Sequence, residues 1–277
     1  MIRAVSTGID WDAAAEGWGK RADQVRDFGM PLSAWMIEAA ALHPGARVLE
    51  LAAGPGDTGF LAAELIEPGG TLICSDRSER MLEIARDRAR RLGAENVEFK
   101  QLDLEWIDLP TASVDVILCR WGVMLVDDPA AAAQECRRVL APGGRLAIGV
   151  WDDPRRNPWA TIPTDALVDL KLVPPPDRSG AGMFALADRG RLDGLLAGAG
   201  FVERRIEQVS LPREYPAFDG WIAEMLDLSG GFVGAWNQLG EQQREMLLRE
   251  MRERVASFTA ADGAVHLPGC SLAALAL

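Results

Sequence analysis

Val48-Leu49-Glu50-Leu51-Ala52-Ala53-Gly54-Pro55-Gly56-Asp57-Thr58-Gly59 is the stretch that decides the fold. A short apolar run gives way to a glycine turn, and a helix is expected to begin at about Asp57. Glycine suits such a turn because a ligand must approach the backbone more closely than side chains allow. The first turn of the following helix offers unpaired N–H groups to a carboxylate or phosphate. Outward from this point, short apolar runs alternate with amphipathic segments: Thr71–Cys74, Val97–Phe99, Val114–Cys119 and Leu146–Val150. A helix with Met81, Ala85, Ala89 and Leu92 on one face, capped by Ser78, separates the second and third runs, with Arg86, Arg88, Arg90 and Arg91 expected on its exposed side. Asp128-Pro129 opens another helix, which runs to Leu140 and stops at Ala141-Pro142-Gly143-Gly144. Strand–helix alternation of this kind predicts a parallel sheet covered by helices on both faces.

The flanks are expected to be helical caps. Residues 1–45 carry apolar stripes that Pro31 divides in two, and no apolar run follows the charge in Met1-Ile2-Arg3-Ala4-Val5-Ser6, so no secretory leader is expected. The core spans 46–151, and residues 152–187 form a loop with one helix near Thr164–Leu172, interrupted by Pro174-Pro175-Pro176 and Arg178-Ser179-Gly180. Residues 188–212 return a helix (Gly190–Ala199) and a strand (Phe201–Leu211) to the core. Residues 213–260 read as a helical insertion, and 261–277 close the chain with a strand at Ser271–Leu277.

Composition narrows the function. Hydrophobic residues at 48% and charged residues at 25% describe a globular chain, and no run reaches the ~20 apolar residues of a membrane span. With 29 basic against 41 acidic residues the net charge is −12, which disfavours nucleic acid as a partner. Cys74, Cys119, Cys136 and Cys270 are scattered, with only His43 and His266 beside them, so neither structural zinc nor a disulfide framework is expected. The expected setting is cytoplasmic, and the expected state is a monomer or homodimer without integral membrane association.

Gly54 to Gly59 also fits the G-x-G-x-x-G of a dinucleotide turn. Asp76, at the end of the second run, suits the ribose hydroxyls of either NAD or S-adenosylmethionine. Glu50 separates the two ligands: a buried carboxylate is repelled by a pyrophosphate but matches an ammonium and a sulfonium. Asp103-Leu104 follows the third run, where an acid can accept from an adenine amino group.

In order and spacing these features resemble the class I S-adenosylmethionine-dependent methyltransferases, notably the small-molecule group that includes the ubiquinone/menaquinone-biosynthesis enzymes. The resemblance covers about residues 46–151, and the closing strand pair fits it as well. It implies an α/β, Rossmann-like sheet of seven strands, mostly parallel with the last antiparallel, and S-adenosylmethionine as cofactor with S-adenosylhomocysteine as product. Glu50 and the backbone of Ala52, Gly54 and Gly56 would hold the methionine part, and Asp76 the ribose. Arg77 and Met81 would flank the adenine, with Asp103 and the Leu104 backbone at its edge and Cys119 and Arg120 under the methionine end. Ala52 stands where the family usually has glycine, which a negative φ would tolerate. No metal is implied, and no general base stands out among His43, His266, Tyr215, Glu214, Arg120 and Trp121. Trp11, Trp18, Trp121, Trp151, Trp159, Trp221 and Trp236 suggest an apolar or aromatic acceptor. Two other readings stay open: a nicotinamide-dependent oxidoreductase and a non-catalytic module that binds S-adenosylmethionine.

Overall fold

A computed structural model describes residues 10–176 and 180–277. Met1–Ser6 and the pair Arg178-Ser179 lie outside the described residues. Among the described residues nine strands are formed: β1 (Arg47–Glu50), β2 (Thr71–Asp76), β3 (Val97–Gln101), β4 (Val114–Arg120), β5 (Leu140–Trp151), β6 (Arg204–Ser210), β7 (Arg213–Tyr215), β8 (Val265–Leu267) and β9 (Cys270–Ala276). Seven make one sheet in the order β3-β2-β1-β4-β5-β9-β6. The pairs from β3 to β5 are parallel, and β9 runs antiparallel to both β5 and β6. The expected seven-stranded, mostly parallel sheet with a reversed last strand is therefore observed.

Central strands bury both faces, which is why Val48-Leu49 and Ile117-Leu118 read as unbroken apolar runs rather than alternating ones. Strand order reverses at β1, whose neighbours are β2 and β4, so the crevice opens beyond the C-terminal end of β1. The loop after β1 lies there.

Helix α3 (Thr58–Leu65) follows that loop, and α4 (Glu79–Leu92) starts at Ser78, whose hydroxyl accepts from the Met81 N–H. Helix α5 (Pro129–Val139) is capped by Asp128 and feeds straight into β5. Leu140 pairs with Val114 and Arg145 with Val116, so the Pro142-Gly143-Gly144 turn loops out within a strand longer than Leu146–Val150.

The helical leader differs from the expected break. Helices α1 (Trp11–Lys20) and α2 (Ala22–Ala40) meet at Arg21, and Pro31 lies inside α2. Pro31 is on the exposed side of α2, so the Asp27 carbonyl that loses its N–H partner can turn to water while Leu32 and Met36 anchor the helix in the core. The chain turns at Arg21 because α1 packs against α8 (Phe218–Leu228): a Cβ at Gly17 would stand 1.9 Å from the Asp227 carbonyl oxygen. Lys20 and Arg21 both reach the Asp227 carboxylate, at 2.9 and 2.6 Å.

Helix α6 spans Pro158–Asp169 rather than Thr164–Leu172, and α7 (Arg189–Gly198) precedes β6. Beyond β6, α8, α9 (Gly230–Gln238) and α10 (Glu241–Val255) form the insertion, with Leu247, Met251 and Val255 buried along α10. Ser229 is the N-cap of α9, so Ser229–Gly234 is the start of a helix. A two-stranded ribbon of β7 and β8 joins the two ends of this insertion. The ribbon places His266 in β8.

Candidate functional site

The loop after β1 is fixed from three sides. The Ala53 N–H donates to the Ser75 carbonyl, Ser75 Oγ donates to the Glu50 carbonyl, and the Gly54 N–H donates to Asp76 Oδ2 at 2.9 Å. Asp76 Oδ1 accepts from the Ser78 N–H. Burial raises the Asp76 pKa, opposed by these backbone donors. Each carboxylate oxygen keeps acceptor capacity toward the cleft, because a carboxylate offers about four lone-pair sites.

Glu50 is 3% exposed at the C-terminal end of β1. Its Oε1 accepts from the Gly59 N–H at 2.9 Å, whereas Oε2 is buried without a hydrogen-bond partner among the described residues. Gly59 is required by this packing, since a Cβ there would stand 2.2 Å from Oε2. Loss of water around the carboxylate pushes its pKa up to about 8, partly offset by the Gly59 N–H. An orphaned carboxylate oxygen at a cleft wall is a place for a cationic ligand group.

Below the loop, Asp57 takes Arg88 Nη1 and Arg120 Nη2, both at 2.8 Å. Arg120 also reaches Ser33 Oγ, which shares a hydrogen bond with Thr58 Oγ1. Asp57 thus joins the glycine turn to α2, α4 and the end of β4. Arg88 was expected on a solvated face with Arg86, Arg90 and Arg91, but it is 6% exposed. Position 88 follows Ala85 by three, on the same helical face, and Asp57 compensates the buried charge.

These walls enclose a cleft of about 520 Å³, lined on one side by Glu50, Ala52, Gly54, Asp76, Arg77, Met81 and Leu104. Across it stand Phe28, Trp121, Trp151, Trp159, Met225, Arg213 and Glu224, with Trp11 and Trp18 of α1 also on the wall. Trp121 and Trp151 stack at 4.4 Å, and Trp151 meets Trp159 edge-on at 5.0 Å. Among the described residues, no cluster of acids, cysteines or histidines is suited to a metal ion.

Residues 42–165 match the model of a methyltransferase domain family. The chain is thus similar to methyltransferase domains over less than half of its length. It is similar to the ubiquinone/menaquinone biosynthesis C-methyltransferase of Ectopseudomonas mendocina, with 37% identity over 113 residues, covering 40% of this chain and 44% of that enzyme. The chain thus spans less than half the length of the curated relatives it matches. In structure it is similar to the YcgJ protein of Bacillus subtilis, with a TM-score of 0.59, 20% identity, and coverage of 88% and 97% of the two chains. A SAM-dependent methyltransferase from Aquifex aeolicus gives a TM-score of 0.53 at 20% identity, over 69% and 92%. The structural likenesses show the fold.

Within this methyltransferase fold, Glu50, Ala52, Gly54, Asp76, Arg77, Met81, Leu104 and Arg120 all line the cleft. Gly56, Asp103 and Cys119 are not on its wall. Asp103 is half-buried and accepts from the Glu105 N–H, and the Cys119 thiol packs behind Gly122 with its pKa raised to about 12 by burial. Arg120 reaches the cleft with its charge already paired to Asp57. His266 is exposed beside Glu214, and neither lines the cleft. Tyr215 is buried with its hydroxyl on Glu224, at 2.8 Å, and burial raises its phenol pKa, so it supplies no free base.

Sequence reasoning missed Arg213 and Glu224. Glu224 had a signal: it follows Trp221 by three on the apolar face of α8, where a lone carboxylate demands a partner. Arg213 had none, since one arginine in a three-residue strand is unremarkable.

Ala52 does not meet the condition of a negative φ: it sits at +50°, in the left-handed region. That region costs an L-residue about 1–2 kcal/mol relative to right-handed backbone. Glycine would relieve it, at some cost in unfolded-state entropy. Ala52→Gly is therefore expected to raise stability by roughly 0.5–1 kcal/mol in urea unfolding. A loss of stability would mean that the Ala52 methyl contributes more by packing than it costs in strain.

Proposed function

We propose that this chain transfers a methyl group from S-adenosylmethionine to a small acceptor with an apolar or aromatic body. The observation that carries the reading is the buried, unpartnered Glu50 Oε2 at the cleft wall, beside a glycine turn pinned to Asp76. Glu50 would attract the ammonium and sulfonium side of the cofactor, and Asp76 would accept from the ribose hydroxyls. Arg77, Met81 and Leu104 would form the slot for adenine. The cofactor supplies a methyl group already activated on sulfur. The protein's part is then to hold the acceptor in line and keep water out. The indoles on the opposite wall suit that task.

The pH dependence of binding follows from Glu50. With its pKa near 8 in the free protein, Glu50 is mostly protonated at pH 7. A cationic ligand favours the ionised form, so binding must expel that proton. S-adenosylhomocysteine affinity is expected to fall as pH drops from 8 toward 6, by up to about tenfold per unit. Titration calorimetry at pH 7 should show heats that depend on the buffer's ionisation enthalpy. Glu50→Gln should remove both effects and weaken binding; an affinity flat between pH 6 and 8 would contradict this role.

Activity is tested by incubating the protein with methyl-labelled S-adenosylmethionine and a panel of small aromatic acceptors. Label moving to an acceptor with formation of S-adenosylhomocysteine supports the reading. Tight cofactor binding without turnover on any acceptor class would favour the non-catalytic module. The oxidoreductase reading is disfavoured by Glu50, which in its ionised form would face a pyrophosphate with like charge.

A further inference from the structure

Arg213 is 4% exposed and Glu224 is 2% exposed, yet both stand on the cleft wall. The Arg213 guanidinium carbon lies 3.4 Å from the Trp159 ring centroid and 3.7 Å from that of Phe28, with Trp151 at 5.8 Å. Aromatic contacts this close leave hydrogen bonding to the edges of the guanidinium. One edge is used: Nη1 donates to Glu224 Oε1, which also accepts from Tyr215. Nε is buried and has no partner among the described residues.

The group cannot readily swing away to find one. Its strand is held by β8 through the Arg213–Leu267 and Tyr215–Val265 register. Helix α8 is tied to α6 by the Trp221 Nε1 donation to the Trp159 carbonyl. A buried donor left unmet is costly, so a ligand oxygen that reaches it relieves that cost.

Its place in the cleft shows which ligand that is. Asp76 ends β2 and Trp151 ends β5, three strands away in the sheet, a separation of roughly 14 Å. Arg213 stands beside Trp151. Charge narrows the ligand further. Glu224 already balances Arg213, so a bound carboxylate would bury an uncompensated negative charge, whereas a neutral oxygen would not.

We propose that Arg213 is a specificity residue of the acceptor side, donating from Nε–H to an uncharged carbonyl oxygen on an aromatic body that packs against the indoles. The inference rests on the methyl-acceptor reading for what lies opposite, but its test needs no turnover. The probes are acetophenone, ethylbenzene (the same body without the oxygen) and benzoate (an anionic counterpart), titrated by ligand-detected NMR with saturating S-adenosylhomocysteine. In the native protein, acetophenone should bind roughly tenfold tighter than ethylbenzene, with benzoate weaker than acetophenone. Arg213→Lys keeps the charge beside Glu224 and removes Nε; the acetophenone advantage should then shrink toward parity.

A second readout covers the case in which the variant does not fold. In native protein carrying 15N-arginine, one buried Nε–H resonance should shift with acetophenone and stay in place with ethylbenzene. Equal binding of acetophenone and ethylbenzene, preference for benzoate, an unchanged ratio in Arg213→Lys, an unmoved Nε–H signal, or no binding of any probe at millimolar concentration would each overturn the proposal. S-adenosylhomocysteine binding is titrated on the same samples. Its absence would sink the cofactor reading while leaving the comparison among probes intact.

Discussion

Replacing Asp57 by alanine is expected to destabilise the protein by about 3–5 kcal/mol, the largest stability effect anticipated for any single side chain near the cleft. Asp57 is 2% exposed at its side chain and holds Arg88 and Arg120, themselves only 7% and 9% exposed. Without it, two guanidinium groups stay buried with no anion between them, and the ties from the glycine turn to α2, α4 and β4 are lost together. Urea unfolding followed by circular dichroism measures the effect. Asp57→Asn should be milder, since one amide oxygen still accepts, but neutral. A loss below about 1 kcal/mol for Asp57→Ala would mean that water or rearrangement compensates the arginines, and that the network does not hold the turn.

For binding, Asp76→Ala carries the largest expected effect. Two hydrogen bonds from ribose hydroxyls to a carboxylate, lost together, correspond to roughly a hundredfold weaker S-adenosylhomocysteine binding. The variant also frees the Gly54 and Ser78 N–H groups that Asp76 now accepts, so the loop itself loosens. Asp76→Asn separates the two contributions: it can keep one backbone acceptor while losing the charge. Calorimetry on both variants, with unfolding curves as controls, gives the answer. Affinity within about threefold of the native protein in Asp76→Ala would remove Asp76 from the ribose site.

The parallel sheet and its order of elements were legible because strand-length apolar runs, Ser78, Asp128-Pro129 and the Pro142-Gly143-Gly144 stop each carry a local signal. The wall of the cleft around Glu50 was legible for the same reason, since Glu50, the glycine turn and Asp76 lie within one strand–helix–strand unit. The opposite wall was not. It is assembled from Phe28 on α2, Trp121 after β4, Trp151 at the end of β5, Trp159 on α6, Arg213 on β7 and Glu224 on α8, and no local pattern announces that these meet. An excess of tryptophan hinted at an aromatic wall without showing which rings belonged to it. Pro31 misled because a proline on the exposed side of a well-anchored helix is tolerated. Arg88 misled because the sign of its charge was weighed and its helical phase was not. Ala52 shows a third kind of failure: whether φ is negative or positive depends on the loop's tertiary ties, which the residue itself does not encode.

The most direct test of the central claim is calorimetric titration of the protein with S-adenosylhomocysteine, with NADH titrated in parallel under the same conditions. The account predicts saturable one-to-one binding of S-adenosylhomocysteine at micromolar concentration and no heat from NADH. Binding of NADH with none of S-adenosylhomocysteine would contradict it, and would make the loop around Glu50 a dinucleotide turn.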